Sequence, residues 1–277
     1  MSTLTLTDTT TPDTTTPGTT LAVTQPNVAR AEAIKFRSVR SNVIGLASAG
    51  IALLLLGMLF SSLAGSGQAG PPESQGADAL STAFGGMNLS QLILGIVGAV
   101  FVAGEYATGM IRSMFAAVAD RVPVLRAKAI VVGGASWVVM TVAAFATFFA
   151  GTAMYAGDGV VNSLSDPGVL RAVLGTGVYG AGVALIGVAL GFLLRSTAAA
   201  IGTLVGTLMI APVLVRLLPD SIGDTLYKFL PSGAGSAFTS VTSTTDVLSP
   251  AAGFAVFACW VIGLLVAAAV MLRRRDA

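Results

Sequence analysis

The chain contains no histidine and a single cysteine, Cys259. Without histidine there is no imidazole metal site and no histidine-based catalytic triad. One cysteine excludes an internal disulfide, and inside the last apolar run it reads as a small packing residue. Charge is scarce too: 10% of the 277 residues, against roughly a quarter in water-soluble domains. Lysine occurs only in "IKF", "AKA" and "YKF", so no glycine-rich loop ends in the Lys-Ser/Thr pair that cradles nucleotide phosphates. The apolar runs also lack the several acids of a proton-coupled carrier.

What is present is apolar length. Hydrophobic residues make up 54% of the chain and the mean hydropathy is +0.85. About 20 residues at 1.5 Å rise cross a ~30 Å hydrocarbon core, so runs of this kind read as membrane spans. The sequence predicts an all-α integral membrane protein with six transmembrane helices at about 42–63, 87–103, 129–156, 169–194, 197–218 and 251–272. Polar connections at 64–86 and 157–168 read as loops, and Arg195 and Ser196 leave room only for a tight hairpin between the fourth and fifth spans. Residues 1–28 are rich in threonine, with prolines at 12, 17 and 26, and are expected to form a disordered cytoplasmic tail before a six-span domain over 29–277. That tail lacks the basic start and apolar centre of a cleaved signal peptide.

Lysine and arginine set the expected orientation. Arg30, Lys35, Arg37 and Arg40 precede the first span; Arg112, Arg121, Arg126 and Lys128 lie in the 104–128 loop; Arg195 and Arg273 to Arg275 fall on the same side. Only Arg171, Arg216 and Lys228 fall on the other, so both termini and the 104–128 loop are expected in the cytoplasm.

Several shorter features stand out. Residues 29–41 alternate bases with Ile34, Phe36 and Val39, as an interfacial helix does. From Met110 to Val122, Met110, Ile111, Met114, Phe115, Val118 and Val122 share a helical face opposite Arg112, Asp120 and Arg121, and Pro123 ends the pattern. A helix of that length, about 20 Å, cannot span the bilayer and is expected along its surface. Glu105 closes the second span, where the helix end disfavours a negative charge; Arg37, Arg40 or Arg112 are the candidate partners. "GVALG" (Gly187–Gly191) and "GTLVG" (Gly202–Gly206) are small-xxx-small patterns, expected to pack within the chain rather than form a dimer seam. Pro212 is expected to kink the fifth span. In "DSIGDTLYKFLP", Asp220 or Ser221 is a candidate helix cap, with Ile222, Leu226 and Phe229 on one side.

Four pieces together resemble the membrane subunit of type-two ATP-binding-cassette (ABC) exporters. They are "EAIKFRSVRS" (Glu32–Ser41), "GEYATGMIR" (Gly104–Arg112), "VLRAKAI" (Val124–Ile130) and "LPSGAGSAF" (Leu230–Phe238), in that order among six spans. Ala33 stands where an aromatic is common, and Ala107 where a base often follows Glu-Tyr. The resemblance implies a non-enzymatic permease of a bacterial cytoplasmic membrane, exporting a substrate with energy from a separate ATPase subunit. It implies no cofactor on this chain, ATP being bound by that partner, and a second permease subunit, identical or paralogous, within membrane lipid and without nucleic acid. On this reading Glu105, Tyr106, Gly109, Met110, Arg112 and Phe115 couple to the ATPase, and Lys35, Arg37 and Arg40 lie on a connecting helix. Leu226, Phe229 and Pro231 belong to an outer gate. A membrane-embedded enzyme is the weaker rival, for want of histidine and paired acids. A non-transporting anchor or immunity-type scaffold is the alternative, and it predicts partner binding without ATP-dependent movement of substrate.

Overall fold

The computed structural model describes residues 25–63, 82–110, 122–155, 163–241 and 248–274. Regular structure among them is helical throughout, and six helices are long and apolar enough to cross a membrane. Helix α1 (Gln25–Ser38) breaks at Val39 into α2 (Arg40–Leu63). A short 3-10 turn (Phe84–Gly86) leads into α3 (Met87–Ala107), and α4 (Val122–Tyr155) follows. Then come α5 (Val169–Leu194), α6 (Thr197–Val205), a π-helical turn (Gly206–Ile210) and α7 (Ala211–Val215). Two short helices, α8 (Asp220–Phe229) and α9 (Pro231–Thr239), precede α10 (Pro250–Arg274).

The predicted spans are all present, with informative differences at their ends. Helix α1 begins at Gln25, so the last residues assigned to the tail are helical; residues 1–24 lie outside the described part. Helix α4 starts at Val122 rather than near 129, and Val122 therefore belongs to it and not to the preceding amphipathic stretch. Pro123 is tolerated because first-turn residues have no intrahelical N–H partner to lose. At 34 residues α4 is about 51 Å long, well beyond a ~30 Å core, so its first turns project past the bilayer. This overhang carries Arg126 and Lys128.

Helix α5 is the centre of the bundle. Of its most apolar stretch 72% is buried, against 17–33% for α2, α4, α6–α7 and α10, so it packs as a core helix while those face outward. It crosses α3 at backbone contact: a methyl on Gly98 would overlap the Ala184 carbonyl oxygen, and one on Gly187 the Gly95 carbonyl oxygen. Gly191 completes the seam, 3.0 Å from the Ala99 oxygen to an added Cβ. "GVALG" thus packs within the chain as expected. In "GTLVG" Leu204 packs on Gly95, but an added Cβ on Gly202 or Gly206 meets nothing within 4 Å among the described residues.

The hairpin at Arg195–Ser196 is as tight as its length demanded. Arg195 takes the left-handed conformation (φ 52°) and its N–H bonds the Gly191 carbonyl, while Ser196 caps α6 by accepting from the Ala199 N–H at 3.4 Å. In the fifth span, Pro212 lacks an N–H and its ring crowds the carbonyl four residues earlier. The chain answers by widening the preceding turn, and the Ala211 N–H reaches back five residues to Gly206.

At the far end of α5, the "LPSGAGSAF" residues form α9, a buried wedge between α5 and α10. Gly235 lies against the Tyr179 ring and Gly253 of α10 against Ala237, so small residues set the depth to which this helix enters. Helix α8 has no side-chain cap: Pro219 holds the cap position and Asp220 is its first residue, contrary to the expected Asp220 or Ser221 cap.

Candidate coupling site

Four charges from three helices close a ring where α1, α3 and α4 meet. Lys35 Nζ donates to Glu32 Oε1 at 3.0 Å and to Glu105 Oε1 at 2.8 Å. Lys128 Nζ donates to the same Glu105 Oε1 at 2.7 Å and to Glu32 Oε2 at 2.7 Å. Signs alternate around the ring and sum to zero, the arrangement in which buried charges stabilise one another. Lys128 is fully buried and Glu32 and Glu105 nearly so; Lys35 alone keeps partial access to solvent.

Local sequence explains the geometry. Glu32, Lys35 and Phe36 lie at helical spacing on one face of α1, and Phe36 meets Phe101 of α3 edge-on at 5.2 Å between centroids. The Lys128 ammonium sits 4.2 Å from the same Phe101 ring, which covers it with the negative face of a π system. The start of α1 is fixed separately, Gln25 Nε2 donating to the Pro123 carbonyl at 3.1 Å. Burial alone would lower the Lys35 pKa, but hydrogen bonds and Coulomb attraction from Glu105 and Glu32 raise it above the ordinary 10.5. A lysine raised in the folded state contributes fully below that ordinary value and loses its contribution only as pH climbs through the folded one, so Lys35 is charged at neutral pH.

The partners expected for Glu105 are corrected by this arrangement. Lys35 and Lys128 hold it, whereas Arg37 and Arg40 are exposed and make no ion pair among the described residues. Arg37 lies two residues, about 200°, around α1 from Lys35, and Arg40 lies beyond the break at Val39. Arg112 and Phe115 fall outside the described residues. Lys128 and Glu32 were the residues missed. The available signal was periodic: Val124, Leu125, Lys128 and Val132 occupy one helical face, and a lysine there needs a buried acid.

Tyr106 faces α5 rather than solvent, edge-on to Phe192 at 6.4 Å with the Arg195 guanidinium 5.3 Å from its ring. The end of α3 is thereby tied to the α5–α6 hairpin. Gly109 has φ +73° and its N–H bonds the Tyr106 carbonyl at 3.2 Å, a left-handed residue terminating the helix. No neighbour among the described residues crowds it, so Gly109→Ala is expected to cost only the left-handed strain, about 1–2 kcal/mol, and Gly109→Asn less. Thermal unfolding of the purified variants measures this, and equal midpoints for Ala and wild type would refute it. Met110 is half exposed.

Comparison with known families matches residues 29–215 to the ABC-2 family transporter proteins. The chain belongs to that family. No curated protein matches it. The ABC-2 family is a membrane transport component, and this multi-pass chain is a permease-type member. The charge ring lies within the matched residues.

Among the described residues, bases assigned to one side by counting also converge in space. Arg195 stacks on Tyr106 beside the ring, and Arg126 and Arg273 line one groove with Gln25. Arg171, bonded to the Ser240 carbonyl, and Arg216, 4.6 Å over Tyr227, occupy the opposite end. There Leu226 and Phe229 are half exposed on α8, Pro231 is buried at the start of α9, and the Phe229 carbonyl accepts from Trp260 Nε1 at 2.8 Å. A polar chain runs beneath them, Tyr179 donating to Gln91 and Gln91 to Asn88, and links α3 to α5 inside the apolar bundle. Among the described residues no three metal-ligating side chains gather.

Proposed function

We propose that this permease exports its substrate across the cytoplasmic membrane, driven by a separate ABC ATPase that docks at the end of the bundle carrying the charge ring. The observation that carries the reading is the ring itself, which clamps α1 to the end of α3 and the start of α4, the two elements that the 108–121 connection joins in sequence. A push on that connection or on α1 reaches both spans through Glu105, and α5 through Tyr106. Glu105 Oε1 serves both lysines while its Oε2 is buried without a hydrogen-bond partner among the described residues, so the carboxylate has capacity to change partners as the ends move. ATPase states that hold these elements differently shift the bundle between inward- and outward-facing forms. A second permease subunit completes the path; the face of α6 around Gly202 and Gly206, open among the described residues, supports that assembly. On this reading no cofactor binds the chain, ATP stays with the partner, and the termini are cytoplasmic.

The test is co-expression with an ABC ATPase encoded beside it, followed by purification and transport in inverted vesicles. Glu105→Gln is expected to leave the complex intact and lower ATP-dependent transport roughly tenfold, the scale of a typical coupling free energy. Failure of any ATPase to co-purify, together with unchanged behaviour of the Gln variant, would sink the proposal. Stable association without ATP-dependent movement would favour the anchor or scaffold instead.

A further inference from the structure

An apolar groove of about 510 Å³ opens between α5, α9 and α10 at the end of the bundle opposite the charge ring. Its lining includes Leu174 and Val178 from α5, Phe238 from α9, and Ala251 and Phe254 from α10, with Arg171 at one end. Arg171, Leu174 and Val178 follow helical spacing along one stripe of α5, so the groove runs about 10 Å along the helix from its charged mouth. Arg171 is the third residue of a membrane-spanning helix, at the depth where headgroups meet hydrocarbon.

The guanidinium is half-satisfied. Nη2 donates to the Ser240 carbonyl at 3.0 Å, while Nη1 is buried and has no acceptor among the described residues. No acid among the described residues pairs with it; Asp166, five residues earlier, accepts instead from the Ser163 N–H at 2.7 Å. A buried cationic donor without an acceptor is costly and calls for an anion. Below it, Leu174 and Phe254 remain substantially exposed, so the occupant must also carry an apolar tail. Volume, charge and depth are those of an amphiphile site.

We propose that this groove holds an anionic phospholipid of the surrounding leaflet, its phosphate on Arg171 and one acyl chain against Leu174, Val178 and Phe254. Arginine suits the role because its planar fork offers two parallel donors to phosphate oxygens. Anionic headgroups are preferred over zwitterionic ones because no ammonium-binding acid lines the groove among the described residues. The proposal requires only that the chain spans a membrane, not that an ATPase drives it.

The test titrates detergent-purified protein with phosphatidylglycerol or with phosphatidylcholine of identical chains, following retained lipid by native mass spectrometry and unfolding temperature. Phosphatidylglycerol is expected to be retained and to raise the midpoint, phosphatidylcholine to do neither at the same concentration. Arg171→Gln is expected to weaken phosphatidylglycerol retention about tenfold or more. Leu174→Trp, at an exposed position, blocks the groove without touching the charge and is expected to abolish retention while leaving the lipid-free midpoint unchanged. Arg216→Gln, at the same end but stacked on Tyr227, keeps the selectivity. Equal retention of the two lipids, full retention by Arg171→Gln, or an equal shift from inorganic phosphate alone would overturn the proposal.

Discussion

Lys128→Met is expected to destabilise the folded chain by about 3–5 kcal/mol, the cost of breaking a buried charge network by removing one partner. Lys128 has no solvent access and donates to both acids of the ring, at 2.7 Å each. Without it, Glu32 and Glu105 face one another with Lys35 as their sole cation among the described residues, and Lys35 lies on the solvent side of the cluster. Methionine matches the aliphatic stem and leaves the packing against Phe101, so the loss reports charge rather than volume. Removing an acid as well is expected to recover much of it: Glu32→Gln in the Lys128→Met background leaves Lys35 and Glu105 as a balanced pair. Replacing all four ring residues by apolar ones of similar size is expected to approach wild-type stability, since buried ion networks often gain nothing over good packing. Under the proposed coupling role that quadruple variant is nevertheless inactive in transport. Unfolding midpoints in detergent decide the first part, and a Lys128→Met cost below about 1 kcal/mol, the scale of an exposed pair, would contradict the burial of the ring.

How much of this was legible beforehand depends on what each residue's neighbour is. The six spans follow from apolar length alone, which is a local property, and Val169–Leu194 is placed to the residue because Gly168 and Arg195 bound it with left-handed backbone. Glu105 was legible as an acid in need of a base. Its partners were not, because Lys128 is separated from it by a connection whose path the sequence does not specify, and Lys35 and Arg37 differ only in helical phase. Lys128 was counted as a loop base because α4 was expected to stop at the membrane surface. Once the overhang from Val122 is known, its position on the apolar face with Val124 and Val132 identifies it as buried. The open state of "GTLVG" was equally invisible: the pattern permits close approach, and only the fold decides whether a helix is there to make it.

The two core glycines give the second large effect. Gly98→Ala and Gly187→Ala are each expected to destabilise by about 3 kcal/mol, the upper end for overpacking, even though alanine improves intrinsic helix propensity by about 1 kcal/mol. The obstruction in both cases is a backbone carbonyl oxygen of the facing helix, Ala184 and Gly95 respectively, which cannot rotate aside as a side chain can. The helices must separate, and the contacts along the whole α3–α5 seam weaken together. For that reason the double variant is expected to cost less than the sum, the first methyl having already made room for the second. Gly263→Ala is the matched control, since nothing among the described residues lies within 4 Å of its added Cβ, and it is expected to be neutral or slightly stabilising. Unfolding midpoints that place Gly98→Ala level with Gly263→Ala would show that α3 and α5 are not in backbone contact. The seam also bears on coupling: moving α3 off α5 draws Tyr106 from Phe192 and shifts Glu105 relative to Lys128. Alanine at either core glycine is therefore expected to reduce ATP-dependent transport beyond its effect on the amount of folded protein, a difference read by normalising activity to monodisperse permease.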